Sequence, residues 1–472
     1  MDRRKFFKKG ALFAAGGALL SNPITGLGNT PEYDLSAKGK RAKNIIFMVS
    51  DGMSLGTLTL SDLYQHRFQN HRSVWISSYL ENKVTHGLME TASASSIVTD
   101  SSAGSSSFGC GVRVPNGSLN VGANGERYLP IWQKMKQKGK KTGVVTTVTV
   151  THATPAGFIV NNNSRNAEQQ IASDYLKLDV DVILGAGNHF FEKDKRDDKR
   201  DLYKEYSDKG YAVAKNLSEL NKIDKSKPIL GIFDDWSLPF QLDRKNTPEL
   251  DKKIPTLAHM TKKAIDHLNT SKNGFALQVE SGKVDWAAHA NDLGALLFEQ
   301  IQFDEALKVV LEFAEKDGET LVIFTTDHGN ANPGLIFGEN CDKNFESITQ
   351  YKHTNEWILN QIDSSFSLNM IRDLVKENLG FEITKGDAHY ILGYYSQIHK
   401  EQGLYNYKNL PFEGFANLQK KHSSVGWISM DHSSDHVEVA AFGPGKELLK
   451  PFIKNTDLHS LMLQAAQIEN KF

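Results

Sequence analysis

Leu321-Val-Ile-Phe-Thr-Thr-Asp327-His328-Gly-Asn330 is a run of apolar and β-branched residues that breaks into a turn at an acid and an imidazole. Such a run reads as a strand covered on both faces, which belongs to a parallel sheet flanked by helices. Open α/β sheets bind ligands in the crevice outside the carboxyl ends of their strands. Asp327 and His328 are therefore two good metal ligands held on one rigid edge. Asn44-Ile-Ile-Phe-Met-Val-Ser-Asp51-Gly-Met repeats the design near the amino end, with a glycine after the acid that permits a tight turn. Taken singly, a strand-ending Asp is more often a turn-former or a helix cap than a ligand. Three further clusters change that balance.

Gln278-Val-Glu280-Ser-Gly-Lys-Val-Asp285-Trp286-Ala-Ala-His289 follows an apolar strand over 274–279. If the segment after Glu280 is helical, Asp285 and His289 are four apart and share one face, as two ligands of one cation must. An intrahelical ion pair explains that spacing equally well. Met430-Asp-His432-Ser-Ser-Asp-His436 precedes a strand over 437–444. It offers His432 or His436 to complete a site, although a polar loop has the same composition. Ile97-Val-Thr-Asp100-Ser101-Ser-Ala-Gly-Ser-Ser-Ser107 looks like a turn leading into a helix. Amides at a helix start favour an anion, and Ser101 sits at that positive end as a candidate nucleophile.

Together these pieces resemble the alkaline phosphatases, over nearly the whole chain after its leader. The blocks that carry the resemblance stand in the family's order. They are Asp51-Gly-Met, Val98-Thr-Asp-Ser101-Ser-Ala, and His152-Ala-Thr154-Pro-Ala-Gly with Arg165 eleven residues after Thr154. They continue with Asp181-Val-Ile-Leu-Gly-Ala-Gly187, Leu230-Gly-Ile-Phe233, Val279-Glu280-Ser-Gly, Thr326-Asp327-His328, and His432 ahead of Ala440-Ala-Phe-Gly-Pro444. The resemblance implies a three-layer α/β/α sandwich with a largely parallel central sheet and an inserted crown or lid. It implies metal-dependent hydrolysis of phosphate monoesters through a phosphoserine at Ser101, releasing inorganic phosphate and an alcohol. One zinc would be held by Asp285, His289 and His432, and a second by Asp51, Asp327 and His328 with the Ser101 hydroxyl. A magnesium ion would use Asp51, Thr154 and Glu280. Donor chemistry agrees, because imidazole with carboxylate suits catalytic zinc and an oxygen-only set suits a hard, hydrated cation.

Phosphate monoester hydrolysis is among the slowest uncatalysed reactions, so acceleration approaching ~10²¹-fold is asked of such a site. Zinc lowers the pKa of bound water from about 15.7 to about 7, and it should act on a coordinated serine in the same sense. Two metals roughly 4 Å apart clamp both ends of an in-line displacement. Arg165 is suited to grip two non-bridging oxygens with its planar fork. His152 and Trp286 stand where some family members carry aspartate and lysine or histidine. The chain is read as a member of the His/Trp type, with both residues beside the site rather than on a metal. Trp286 brings no positive charge but can donate one hydrogen bond. The serines after Ser101 also depart from the pattern and bear on the packing of that helix.

The chain has 472 residues, 39% of them hydrophobic, and a formal charge of −1, which suits a sizeable core and gives no sign of a nucleic-acid-binding surface; the resemblance implies small-molecule phosphate monoesters as substrates. Strands alternate with helical stretches, as at 141–148 and 182–185. Helical periodicity over 293–316 stops at Gly318 and reads as core packing. The charged run 192–200 reads as a solvated loop or helix face. Residues 333–424, too many for a simple crossover, read as an insertion within a catalytic domain over 31–472. It either roofs the active site or packs against the second subunit of a homodimer. Arg3-Arg4-Lys-Phe-Phe-Lys-Lys before the apolar residues 10–20 reads as a twin-arginine export signal within 1–30, too short to span a bilayer. It implies a periplasmic or secreted protein with no integral membrane segment once the signal is removed. Cys110 and Cys341 could pair in an oxidising compartment, and two free thiols are the favoured reading. The alternatives are a superfamily phosphodiesterase or phosphomutase, and an exported metal- or phosphate-binding protein without turnover.

Overall fold

A computed structural model describes residues 41–401 and 403–470, so the leader read in the first thirty positions lies outside the described residues. The strands that matter for the site are β1 (Asn44–Ser50), β2 (Thr85–Glu90), β3 (Lys141–Thr149), β4 (Val182–Ala186), β5 (Ala212–Ala214) and β6 (Ile229–Ile232). After them come β7 (Phe275–Ser281), β8 (Thr320–Thr325), β9 (Gly329–Asn330), β10 (His432–Ser433), β11 (Val437–Phe442) and β12 (Phe452–Lys454). Ten of them form one sheet in the order β12-β2-β11-β8-β1-β7-β3-β4-β6-β5. Its pairings are parallel except those of β11, which runs antiparallel to β2 and β8. β9 and β10 pair separately.

The central strands are apolar on both faces because each face meets a helical layer. Ile45, Phe47 and Val49 of β1 enter one core cluster, and Ile46 and Met48 enter the other. Each such buried side chain stabilises the fold by roughly 1.5–3 kcal/mol, and a one-residue slip would exchange the two sets. Register is therefore firmly set. It pairs Val49 with Glu280 of β7 and with Thr325 of β8, so Asp51 and Asp327 finish level at the carboxyl edge, with Glu280 two residues short of them.

The helices around the site are α1 (Leu55–Phe68), α2 (Ser101–Cys110), α3 (Ala153–Gly157), α4 (Lys283–His289) and α5 (Leu293–Asp317). The last matches the expected periodicity. Asp292 caps its start by accepting from Ala295 N, and Gly318 ends it at φ 70° in the left-handed region. α2 is buried along its whole length, and it contacts α3 by backbone. A Cβ on Gly109 would lie 1.9 Å from the Gly157 carbonyl oxygen, which leaves glycine as the only residue that fits.

The segment read as an insertion contributes the helix Cys341–Glu346 and the helices α6 (Asn355–Gln361), α7 (Leu368–Leu379), α8 (Lys385–Tyr394) and α9 (Phe412–Ser423) to a further core cluster. Phe345, Ile358, Ile371 and Phe415 pack there with Leu60 and Tyr64 of α1 and Leu293 and Leu297 of α5. Polar contacts add to this apolar seat on the sheet domain. Asp243 accepts from Thr354 N at 3.0 Å and from Thr354 Oγ1 at 2.7 Å, and Asp292 accepts from Glu356 N at 3.3 Å. The charged run 192–200 departs from expectation, because Arg196 is buried. Its guanidinium donates to Asp198 and to the carbonyls of Phe190 and Gln169, which fastens the loop inward. Cys110 is a buried free thiol whose pKa burial pushes up to about 12, and Cys341 is also free. No helix among the described residues is long and apolar enough to cross a membrane.

Candidate functional site

Three groups of ligand-type side chains meet at the carboxyl edge of β1, β7 and β8. They are Asp285, His289 and His432; Asp51, Asp327 and His328; and Asp51, His152 and Glu280. Within each group the donor atoms lie within 4.8 Å of one another. Asp51, shared by two groups, is fully buried with Glu280, Asp327 and His328. Burial, and then the charges of Asp327, Asp285 and Glu280, raise the pKa of Asp51 well above the ordinary carboxylate range. Asp51 Oδ1, Glu280 Oε1 and Asp327 Oδ2 have no hydrogen-bond partner. Acids packed together with an oxygen of each left unpaired need a compensating charge, and cations fit.

The imidazoles are oriented for the same purpose. His289 Nδ1 lies 2.6 Å from Met430 O, His432 Nδ1 lies 2.9 Å from Thr99 O, and His328 Nδ1 lies 3.3 Å from Gly329 O. A carbonyl only accepts, so each Nδ1 carries the hydrogen and each Nε2 turns a lone pair inward. The Nε2 atoms of His289 and His432 are 3.0 Å apart and lie 3.5 Å from Asp285 Oδ2 and Oδ1 respectively. Two facing lone pairs repel unless a positive charge sits between them. His328 Nε2 stands 3.3 Å from Asp327 Oδ2, 3.6 Å from Asp51 Oδ1 and 3.3 Å from Ser101 Oγ. Burial lowers its pKa to about 4, which keeps it neutral and able to coordinate. His436, the other histidine of that loop, is exposed and meets Phe452 edge-on.

Ser101 is the first residue of α2, behind the cap in which Asp100 accepts from Ala103 N at 2.9 Å. Arg165 is fixed beside it by two donations, to Asp100 Oδ2 at 3.2 Å and to His152 Nε2 at 3.0 Å. While Arg165 donates to Nε2, neutral His152 holds its hydrogen on Nδ1, which faces Glu280 Oε1 at 3.8 Å. His152 thus offers that group a donor rather than a lone pair. Trp286 closes the wall, with its ring 6.4 Å from that of His152 and nearly perpendicular to it. Thr154 Oγ1 donates to Asp51 Oδ2 at 3.1 Å, and Thr146 donates to Glu280 Oε2. Thr146 and Asn330 were not singled out from the sequence. A hydroxyl inside an apolar strand was the only signal for the first, and the turn after His328 the only one for the second.

Carboxylates and imidazole lone pairs gathered around a helix-start serine define a metal-dependent hydrolase of esters. The family model described as alkaline phosphatase matches residues 42–468. Alkaline phosphatase 4 of Bacillus subtilis is 31% identical over 430 residues, which cover 89% of this chain and 88% of that one. Among solved structures, Thermus thermophilus alkaline phosphatase superposes with a TM-score of 0.84 at 30% identity, covering 91% of this chain and 92% of that one. A cold-active alkaline phosphatase from Shewanella gives 0.76 at 27% identity, over 90% and 99% of the two chains. The chain belongs to the alkaline phosphatase family. It is an enzyme that hydrolyses phosphate monoesters with the help of metal ions.

Proposed function

We propose that hydrolysis runs through a phosphoserine at Ser101, with two zinc ions and one magnesium ion. Zinc fits the group Asp285, His289 and His432 and the group Asp51, Asp327 and His328. Magnesium fits the oxygen donors Asp51, Thr154 and Glu280, with His152 beside them. The observation that carries this reading is the pair of Nε2 atoms of His289 and His432, 3.0 Å apart with both Nδ1 atoms tied to carbonyls. When bound, the cations lower the pKa of the serine hydroxyl and take up charge developing on the leaving oxygen.

The chain's own residues do the rest. Arg165, held flat by Asp100 and His152, grips two non-bridging oxygens of the dianion and aligns phosphorus with Ser101 Oγ. The amides at the start of α2 add positive potential on the same side. Oγ bonds to phosphorus as the alcohol oxygen leaves, and a water molecule then takes the phosphoryl group and restores Ser101. Trp286 and His152 wall this space.

Residues 31–472 form one catalytic domain in this reading, with 333–424 as an insertion over the site. The leader in 1–30 supports export by the twin-arginine route to the periplasm or beyond, and a homodimer belongs to the same proposal. The test is Ser101→Ala, with acid-quenched phosphoprotein and turnover of a monoester, a diester and a sulfate ester as readouts. Phosphoserine should be trapped in the parent and absent from the variant, whose turnover falls by orders of magnitude with cation content kept. Full activity in the variant refutes the nucleophile. Preference for the diester would favour a phosphodiesterase, and cation binding without turnover an exported binding protein.

A further inference from the structure

Asn330 is fully buried and touches three of the ligand-bearing segments at once. Its Nδ2 donates to Asp285 Oδ1 at 2.7 Å and reaches the Asp285 carbonyl at 3.3 Å. Its backbone pairs with His432 across the β9–β10 ladder. In the chain it lies two residues after His328. We propose that Asn330 is a positioning residue that sets the carboxylate of Asp285 and aligns the first cation group against the second. The proposal rests on the cation reading given above.

The geometry of Asp285 makes this specific. Gly52 closes one side of its carboxylate so tightly that a Cβ there would lie 2.5 Å from Oδ1. Asn330 meets the same oxygen with a donor. Between them Oδ1 and Oδ2 stay turned toward the Nε2 atoms of His432 and His289, each at 3.5 Å. The amide has one workable orientation, since turning its oxygen toward Asp285 would set two acceptors together. In that orientation Asn330 Oδ1 is left buried without a partner. A side chain retained for packing alone would not carry an unmet acceptor, whereas a donor aimed at a ligand carboxylate explains it.

The test uses the full zinc-loaded chain and two variants, Asn330→Leu, which keeps the branched shape in a larger side chain and removes the donor, and Asn330→Ala, which removes the donor by deleting atoms. Zinc transfer to a chelating dye is followed together with zinc content and the melting temperature of the cation-free protein. His432→Ala serves as the reference for loss at the first group. Both variants should release zinc from that group about 10–100-fold more readily, as removal of an outer-shell partner does elsewhere, while the Asp51, Asp327 and His328 group keeps its ion. The effect should not follow the melting temperature of the cation-free protein, which a packing role would move. Should the leucine variant fail to fold, the alanine variant carries the test. Zinc release within about twofold of the parent in the folded variants overturns the assignment, since the outer-shell effect expected is larger. A parent that holds no zinc at Asp285, His289 and His432 overturns the cation reading instead.

Discussion

Gly109→Ala tests whether the nucleophile is positioned by backbone contact between two helices. The added Cβ would sit 1.9 Å from the Gly157 carbonyl oxygen, and real Cβ atoms essentially never approach closer than 3.0 Å. α2 must therefore retreat from α3 by about 1.1 Å, the difference between those distances. The carbonyl cannot yield easily, because Asn120 Nδ2 holds it at 2.7 Å and holds Val160 O at 2.7 Å as well. Ser101 moves with α2, whereas Thr154 stays with α3. A misplacement of about 1 Å near reacting atoms can cost about 100-fold, and overpacking costs about 1–3 kcal/mol of stability. The expected result is a turnover lower by about that factor, a modestly lower melting temperature and unchanged cation content. Monoester kinetics, metal analysis and a thermal melt would measure the three. Gly393→Ala, where nothing lies within 4 Å, is the control and should leave turnover unchanged. Parent-like turnover in Gly109→Ala, with the protein folded, would refute the positional argument.

Three other outcomes are expected. His432→Ala should lose one zinc and most activity while His436→Ala keeps both, and the reverse by metal analysis would reassign the ligand. Glu280→Gln keeps the volume and removes one charge from the oxygen-donor group, so it should bind magnesium more weakly, turn over more slowly and recover in part with excess magnesium; an unchanged magnesium dependence would favour a two-metal site. Burial pushes Asp292 and Glu299 to about 7, well above the usual carboxylate range. A carboxyl raised on folding stabilises fully below its unfolded pKa and loses that contribution as pH rises through its folded value. The melting temperature should therefore fall as pH climbs from the acid side through about 7, and fall less in the Asp292→Asn, Glu299→Gln double variant. Equal slopes would remove these two groups as the cause.

What could be read from the sequence was what repeats locally. Residues 321–324 and 45–49 are apolar without interruption, and the structure places both in buried central strands that lead into acids. The long helix was legible because Leu296, Phe303, Leu307, Val310 and Ala314 keep one face and Gly318 ends it. Asp285 and His289 do share a helical face, but spacing alone could not separate ligands from an ion pair. Asn330 and Thr146 escaped because their partners are 45 and 134 residues away, and no local pattern announces such a meeting. Arg196 escaped for a related reason. A charged run is normally solvated, and the carbonyls of Phe190 and Gln169, with Ser173 Oγ, turn one of its members inward.

The contact between α2 and α3 also limits how this protein can change over evolutionary time. Across Gly109 and Gly157 the two helices meet without side chains, and Ser105, whose hydroxyl donates to Ala153 O, fills the space beside them, so there is almost no room at that junction to enlarge anything. Adaptation to a colder or hotter habitat ordinarily works by many small side-chain adjustments. Here the joint between the nucleophile and the Thr154 segment is closed to them, and such drift is left to the outer helices and to the insertion.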